Sequence, residues 1–434
     1  MELGSRNFEE KARGALVDPD LQVALRRIEV GFSKLRIAAS ERLPEFETLR
    51  DEGRDIKNHV LQNLDYYLEK FERNVVASGG QVHWCADAAD ARQTVLRLCQ
   101  EADAKTVTKG KSMIAEEIGL NGFLEDNGIE PIETDMGEYI IQLADEPPSH
   151  LIGPALHKTR EQISDLFYDH HQKYGRNARL SEGRDLINEA RGILRDKYFA
   201  ADVGITGANF LIAETGSTVI VTNEGNGDLT QLLPKMHIAI ASLEKVVPTL
   251  EDTSTLLRIL ARSATGQEMS VYTTFSTGPR RADDADGPAA FHVVLLDNGR
   301  SELLGGPFRD VLRCIRCAAC MNTCPVYSAV GGHAYGAVYM GPIGAVLTPH
   351  LVGIDDSYHL PNASTLCGKC EEVCPVRIPL PRLMRHWRER GFARRLTPAL
   401  ERRALRLWAW VARHPALYRW TTAAAVTGLR LAAR

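Results

Sequence analysis

No uninterrupted apolar run of 18 or more residues occurs anywhere in this 434-residue sequence, so no segment is expected to cross a bilayer as a helix. The opening stretch, MELGSRNFEEKARG, has no apolar core and carries acids early, so no secretory leader is expected. Those two absences point to the cytoplasm. There thiols stay reduced, and clustered cysteines mean metal or catalysis rather than disulfides. Nine cysteines, an odd number, agree with that expectation. A complete P-loop is also lacking. Gly110-Lys111-Ser112 resembles its end, but the glycine required five residues before Gly110 is replaced by Lys105, so nucleotide binding there is not expected. Net charge is small, −4, and the 44% hydrophobic and 25% charged content is ordinary for a globular protein. No internal repeat beyond the cysteine motif is present.

Charge is unevenly placed. Thirteen arginines stand between Arg382 and Arg434, against only Glu389 and Glu401. Trp387, Trp408, Trp410 and Trp420 are interleaved with them. Leu405, Trp408, Val411 and Ala412 share one helical face, suited to packing on protein or to lying on an anionic membrane surface. Without any accompanying nucleic-acid motif, the basic charge does not point to nucleic acid.

The periodicity divides the chain. Ile56, Val60, Leu61, Leu64, Leu68 and Phe71 recur at helical spacing, predicting a helical region over 1–75. Strand-like runs at 79–85, 105–109 and 129–134 alternate with helical runs at 89–102 and 112–128. This rhythm predicts a mostly parallel sheet covered by helices. A helical stretch over 156–198, two strands over 210–225 joined at Thr215-Gly216, an apolar segment at 237–248 and a strand at 291–300 extend it. The polar loop 280–290 is expected to be mobile. The α/β part is therefore placed at 76–300, a cysteine-rich part at 301–385 and a basic helical region at 386–434.

Within the α/β part, Glu133-Thr134-Asp135, Gly137-Glu138, Glu214-Thr215-Gly216-Ser217 and Asn223 to Gly227 form polar turns at strand ends. Either they line a ligand pocket together with Lys109 and Lys111, or they are ordinary capping turns. Cys85 and Cys99 sit at apolar positions and are expected in the core.

The chemistry is concentrated in two blocks. The first is Cys314-x2-Cys317-x2-Cys320-x3-Cys324-Pro325, and the second is Cys367-x2-Cys370-x3-Cys374-Pro375. Three thiolates at successive spacings of three can wrap one iron–sulfur cluster, while the cysteine before proline ligates the other. Zinc sites instead use cysteine pairs separated by a long loop. The spacing therefore assigns Cys314, Cys317, Cys320 and Cys374 to one cluster, and Cys324, Cys367 and Cys370 to the second. Both are expected to be [4Fe-4S]. Position 364, where the template calls for a fourth thiolate, holds Ser364. Either Ser364 serves as a turn or cap residue, or that corner takes a non-cysteine ligand, or the cluster is [3Fe-4S]. His333, between the blocks, is expected to be a hydrogen-bonded packing residue.

ETDMGEYIIQLADEPPSH (133–150), GITGANFLIAETGSTVIVTNEGNG (204–227), CIRCAACMNTCPVYSAVGGHAYGAVYMGPIGAVLTP (314–349) and STLCGKCEEVCPVRIPL (364–380) resemble the lactate utilization protein B family over nearly the whole chain. The resemblance implies an α/β lactate-utilization (LUD) domain at 76–300, like ribose-5-phosphate isomerases and CoA transferases. It implies an α-helical ferredoxin-like two-cluster domain at 301–385, with helical N- and C-terminal regions. It further implies an oxidoreductase component that helps oxidise L-lactate to pyruvate. The implied partners are a glycolate-oxidase-type cysteine-rich iron–sulfur protein and a smaller LUD-domain protein. The same seven cysteines match the family's cluster ligands, and position 364 lacks a cysteine there too. No catalytic residue is carried over.

Three functions are compatible with these features. The chain could be an electron-transfer subunit, in the cytoplasm or held at the inner face of the membrane by its basic tail. It could itself host the substrate near Lys109 and Glu214. It could be a non-catalytic iron–sulfur redox sensor.

Overall fold

Six parallel strands carry the α/β part of the computed structural model, which describes residues 4–110 and 112–432, the side chains of Glu29, Val30 and Ala432 apart. In chain order the strands of the whole molecule are β1 (Gln81–Cys85), β2 (Thr106–Gly110), β3 (Glu130–Glu133), β4 (Val203–Gly207), β5 (Phe210–Ile212), β6 (Ser217–Thr222), β7 (Met236–Ser242), β8 (Val246–Val247), β9 (Tyr272–Ser276) and β10 (Ala290–Leu296). The main sheet runs β1-β10-β7-β4-β2-β3, and every neighbouring pair is parallel. Its central strands, such as FHVVLL and HIAIAS, are nearly continuous in apolar residues because both faces are covered. Ile238 and Ile240 face the helices Ala88–Glu101 and Met113–Ile118, while Ala239 and Ala241 face the helix Leu64–Ala77. That alternation is the two-residue period of a strand.

A second sheet, β8-β5-β6-β9, lies apart. The expected hairpin at Thr215-Gly216 forms it, with β5 antiparallel to β6 and Gly216 at φ +70°, a conformation only glycine adopts without cost. The apolar segment 237–248 is two strands in different sheets, split by a short turn at Leu243–Lys245. Strand β9 has no counterpart in the sequence reading, because YTTFS is polar and half exposed.

The chain leaves β2 toward β3 on one side, and β4 continues toward β7 on the other. The strand order therefore reverses between β2 and β4. Ligands of open α/β sheets sit outside the carboxyl ends at such a reversal; here those ends are Gly110 and Gly207.

The N-terminal helices do not stand alone. They wrap the cysteine-rich part, with Phe8 edge-on to Tyr335 at 5.4 Å. One continuous core joins Leu25, Phe46, Leu256, Ile315, Tyr339 and Trp387. The helix Leu380–Ala393 runs through the boundary expected at 385. Trp387 anchors it, stacked on Phe308 at 4.2 Å and donating to Val346 O at 2.9 Å. Beyond it, the helix Ala399–Ala412 buries no residue. Trp408 and Trp420 are 62% and 70% exposed, so the basic tail is not packed into the core of the body. No helix among the described residues is long and apolar enough to cross a membrane.

Candidate metal centre and the pocket beside it

The two cysteine blocks are tight loops in uncommon backbone conformations. Arg316 and Ala318 in the first, and Leu366 and Arg377 in the second, have φ of 60°, 61°, 54° and 53°. Each such non-glycine residue costs roughly 1–2 kcal/mol. Strain of this kind persists where the surrounding structure enforces it, and it gathers at functional sites. Pro325 then opens the helix Pro325–Val330 immediately after Cys324.

Cys314, Cys317, Cys320 and Cys374 line one small cavity, walled otherwise mainly by apolar groups such as Ile343, Val376 and Leu380. The Arg316 N–H donates to Cys314 Sγ at 3.4 Å and the Ile378 N–H to Cys374 Sγ at 3.3 Å. Cys324, Cys367 and Cys370 lie near one another, with Cys370 also near Cys320. The fold thus brings Cys374 to the first block and Cys324 to the second. The first set is mostly interior, whereas Cys367 is exposed.

Burial pushes the Cys317 thiol up to about 12, with Cys374 adding to it, and the Cys370 thiol likewise up to about 12, with Cys324 adding to it. Thiols so buried become thiolate only when bound cations supply the compensating charge, whereas the Lys369 N–H draws the exposed Cys367 thiol down. Four sulfurs around an apolar cavity, with amides aimed at sulfur, fit an iron–sulfur cluster.

Arginines from the N-terminal helices hold the second block. Arg50 donates to Cys374 O at 2.9 Å and to Glu372 O, and Arg36 donates to Val373 O at 3.1 Å. Both side chains are buried. Ser364 Oγ accepts from Leu366 N at 3.1 Å, which is a turn role. Tyr335 is fully buried, its hydroxyl makes no hydrogen bond of normal geometry, and it lies beside the Cys324 thiol. His333 donates to Pro147 O at 2.8 Å. Cys85 and Cys99 are buried in the core.

An open cleft lies at the carboxyl ends of β2 and β4. Asp135, Glu138, Asn209 and Asn223 line its sheet side. Lys245, from the turn after β7, also lines it, and Arg316, Cys317 and Tyr339 line it from the cysteine-rich part. The cleft therefore shares Arg316 and Cys317 with the wall of the first cysteine cavity. Behind that wall, Arg316 pairs with Glu244 at 3.2 Å, Glu244 with Arg300 at 3.2 Å, and Arg300 with Glu117 at 2.6 Å. Tyr339 OH donates to Glu117 at 2.6 Å. Against the upward push of burial, Arg300 and Arg316 hold Glu244 down to about 2. Burial, reinforced by Arg316, pushes Lys245 down to about 7. No hydrogen bond or ion pair engages the Lys245 ammonium among the described residues.

Of the turns singled out in the sequence, Asp135, Glu138 and Asn223 reach this cleft. Lys109 does not. It is buried between Glu116 at 2.8 Å and Glu133 at 2.6 Å. Glu214 is exposed and accepts from Leu250 N at 3.2 Å, capping a helix. Lys111 lies outside the described residues.

A family model of the LUD domain matches residues 68–296, and a model of the 4Fe-4S dicluster domain matches 310–378. The lactate utilization protein B of Geobacillus thermodenitrificans is 48% identical over 89% of this chain and 81% of its own length. That of Bacillus licheniformis is 44% identical over 96% of this chain and 87% of its own. This chain belongs to the lactate utilization protein B family. An Escherichia coli protein described as the uncharacterized electron transport protein YkgF is 44% identical over 95% of this chain and 86% of its own length. A crystal structure of a DUF162 family protein from Deinococcus radiodurans covers 54% of this chain with 12% identity and a TM-score of 0.30.

For this member of the lactate utilization protein B family, sequence reasoning missed Arg36, Arg50, Glu244, Lys245 and Arg316. A signal was present for two of them. Glu244-Lys245 interrupts an otherwise apolar run at 237–248, and a charged pair inside such a run marks a break or a site. Arg36 and Arg50 left none, since each lies on a helix rich in other charges.

Proposed function

We propose that this chain is the iron–sulfur electron-transfer subunit of a cytoplasmic complex that oxidises L-lactate to pyruvate and permits growth on lactate. The observation that carries this reading is the interlocking of the two cysteine blocks beside the cleft, with one set interior and the other reaching the surface at Cys367. Cys314, Cys317, Cys320 and Cys374 would hold one cluster. Cys324, Cys367 and Cys370 would hold the other, whose fourth corner takes a non-cysteine ligand or stays empty as [3Fe-4S]. Such clusters supply one-electron carriers. The protein's own part is to hold the thiolates, exclude water from the first set and keep the second within reach of a partner. Lactate enters this reading through the relatives' names, and the electron-transport role through the E. coli relative.

The partners in this reading are a glycolate-oxidase-type cysteine-rich iron–sulfur protein and a smaller LUD-domain protein. The exposed tryptophans among the arginines of the tail support contact with a partner or, peripherally, with the membrane. The reading also carries a ribose-5-phosphate isomerase/CoA transferase-like fold for the α/β part. Anaerobic co-purification with iron analysis, EPR and a lactate:acceptor assay tests it. Cys374→Ser is expected to abolish growth on L-lactate where no second lactate dehydrogenase exists; unimpaired growth counts against it.

A second reading is favoured by one specific observation, the unengaged Lys245 ammonium beside Arg316 in the cleft. In it the chain itself binds a small carboxylate, such as lactate, next to the first cysteine set. Calorimetry of L-lactate against the cluster-loaded chain should show binding that Lys245→Met removes. Absence of binding to the unmodified chain eliminates this reading.

A further inference from the structure

Glu146, His157 and His333 each offer one ligand atom, and the three atoms lie within 4.8 Å of one another. They come from different parts of the molecule. Glu146 and His157 flank the loop that follows the helix Met136–Leu143, and His333 comes from the segment between the cysteine blocks. We propose that these three residues form a divalent-metal site of the zinc class, separate from the iron–sulfur ligands, which staples the loop 146–157 to the cysteine-rich part.

The surroundings of both histidines are those a metal site requires. A ligating histidine donates its other ring N–H to a fixed oxygen, which sets the tautomer and the ring plane. His333 Nε2–H donates to Pro147 O at 2.8 Å, and a carbonyl can only accept. In the neutral ring, Nδ1 is then a lone pair. His157 Nδ1 lies 2.7 Å from Ser149 Oγ. The Ser149 hydroxyl has its own acceptor in Pro154 O at 2.8 Å, so Oγ is able to receive the Nδ1 proton. His157 Nε2 then turns a lone pair toward Glu146 Oε2, 2.6 Å away. Two lone pairs at that distance repel unless a proton or a cation stands between them. A tetrahedral zinc, with bonds of about 2.0–2.1 Å, needs its ligand atoms about 3.3 Å apart, between the 2.6 Å contact and the 4.8 Å limit observed here. The rings of His157 and His333 are already 4.4 Å apart, centroid to centroid. Lys158 on the other carboxylate oxygen of Glu146 leaves one oxygen for the metal. All three residues are only partly buried, so water can take the fourth position.

The loop so pinned has consequences elsewhere. Leu151, Ile152 and Pro154 form one wall of the cleft, and Leu151 also walls the first cysteine cavity. Ser149 O receives the Tyr327 hydroxyl at 2.7 Å. The metal would fix the side of the cleft nearest the clusters without touching the reacting groups.

The test uses the full chain, purified anaerobically with its clusters loaded so that the cysteines are occupied. It is equilibrated with zinc, desalted and analysed for zinc and iron. One zinc per chain should remain, with only nitrogen and oxygen neighbours in zinc K-edge absorption. His157→Ala and His333→Ala should each lose it at unchanged iron content, and zinc should slow amide exchange across 147–157. Failure of the unmodified protein to retain zinc, sulfur in the zinc shell, or full retention by a variant overturns the proposal. In that event the Glu146–His157 contact is a plain hydrogen bond carrying the proton on Nε2. Should a variant lose iron through misfolding, the absorption spectrum of the unmodified protein decides alone.

Discussion

Arg316 lies with its guanidinium 3.2 Å from Glu244 Oε1 and 4.8 Å above the Tyr339 ring, so a residue between two cluster-type cysteines is fastened to the turn that follows β7. Glu244 is the hinge of this network, because it also holds Arg300. Glu244→Gln would leave two buried guanidiniums without their shared counter-charge. A loss of about 3–5 kcal/mol is expected, read as a lower midpoint in denaturant and as weaker iron retention. An unchanged midpoint would show that the network is slack.

Arg50 predicts a more local effect. Its guanidinium satisfies the Cys374 and Glu372 carbonyls from within the core. Arg50→Met keeps the stem but strands those acceptors. We expect a cost of roughly 2–4 kcal/mol and a perturbed EPR signal from the cluster held by Cys374. Spectra identical to the parent protein would refute this coupling.

Tyr335 predicts a change in potential. The phenol beside Cys324 is placed to donate to a cluster sulfur, and a donor stabilises the more negative, reduced form. Tyr335→Phe should lower the second cluster's potential. One hydrogen bond corresponds to a shift on the order of 20–65 mV for one electron. Redox titration by EPR measures it, and no shift would mean that the hydroxyl points away from the sulfurs.

His237 predicts a pH dependence. Burial, with His292 adding to it, pushes its pKa down to about 3, and its Nε2 sits 2.8 Å from Thr206 Oγ1. The unfolded chain takes up the proton near 6.5 while the folded one does not. The stability from this group is therefore present above about 6.5 and is lost progressively as pH falls toward 3. At pH 5 the loss is about 2 kcal/mol. His237→Gln should flatten denaturation midpoints between pH 6.5 and 5; an equal slope in both proteins would assign the effect to other groups.

Some of this was legible in the chain itself. Cysteine spacing and the prolines after Cys324 and Cys374 are local chemistry, since ligand reach along a short loop is set by the backbone alone. The parallel sheet was legible for a similar reason, because strands buried on both faces read as apolar runs. The cleft was not. Its walls come from β4, the loop before Lys158, the turn at Lys245 and the first cysteine block, which meet only through the strand order β1-β10-β7-β4-β2-β3. Lys109 shows the limit plainly. Its position at a strand end suggests a ligand, yet Glu116 and Glu133 close around it. The sequence alone determined which thiols lie within reach of one another inside each block, because short spacing bounds distance, whereas the approach of Cys374 to Cys314, Cys317 and Cys320 came from the fold. The tertiary structure alone decided which charges meet, because Arg50 and Cys374, or His157 and His333, are neighbours only after long-range packing brings their elements together.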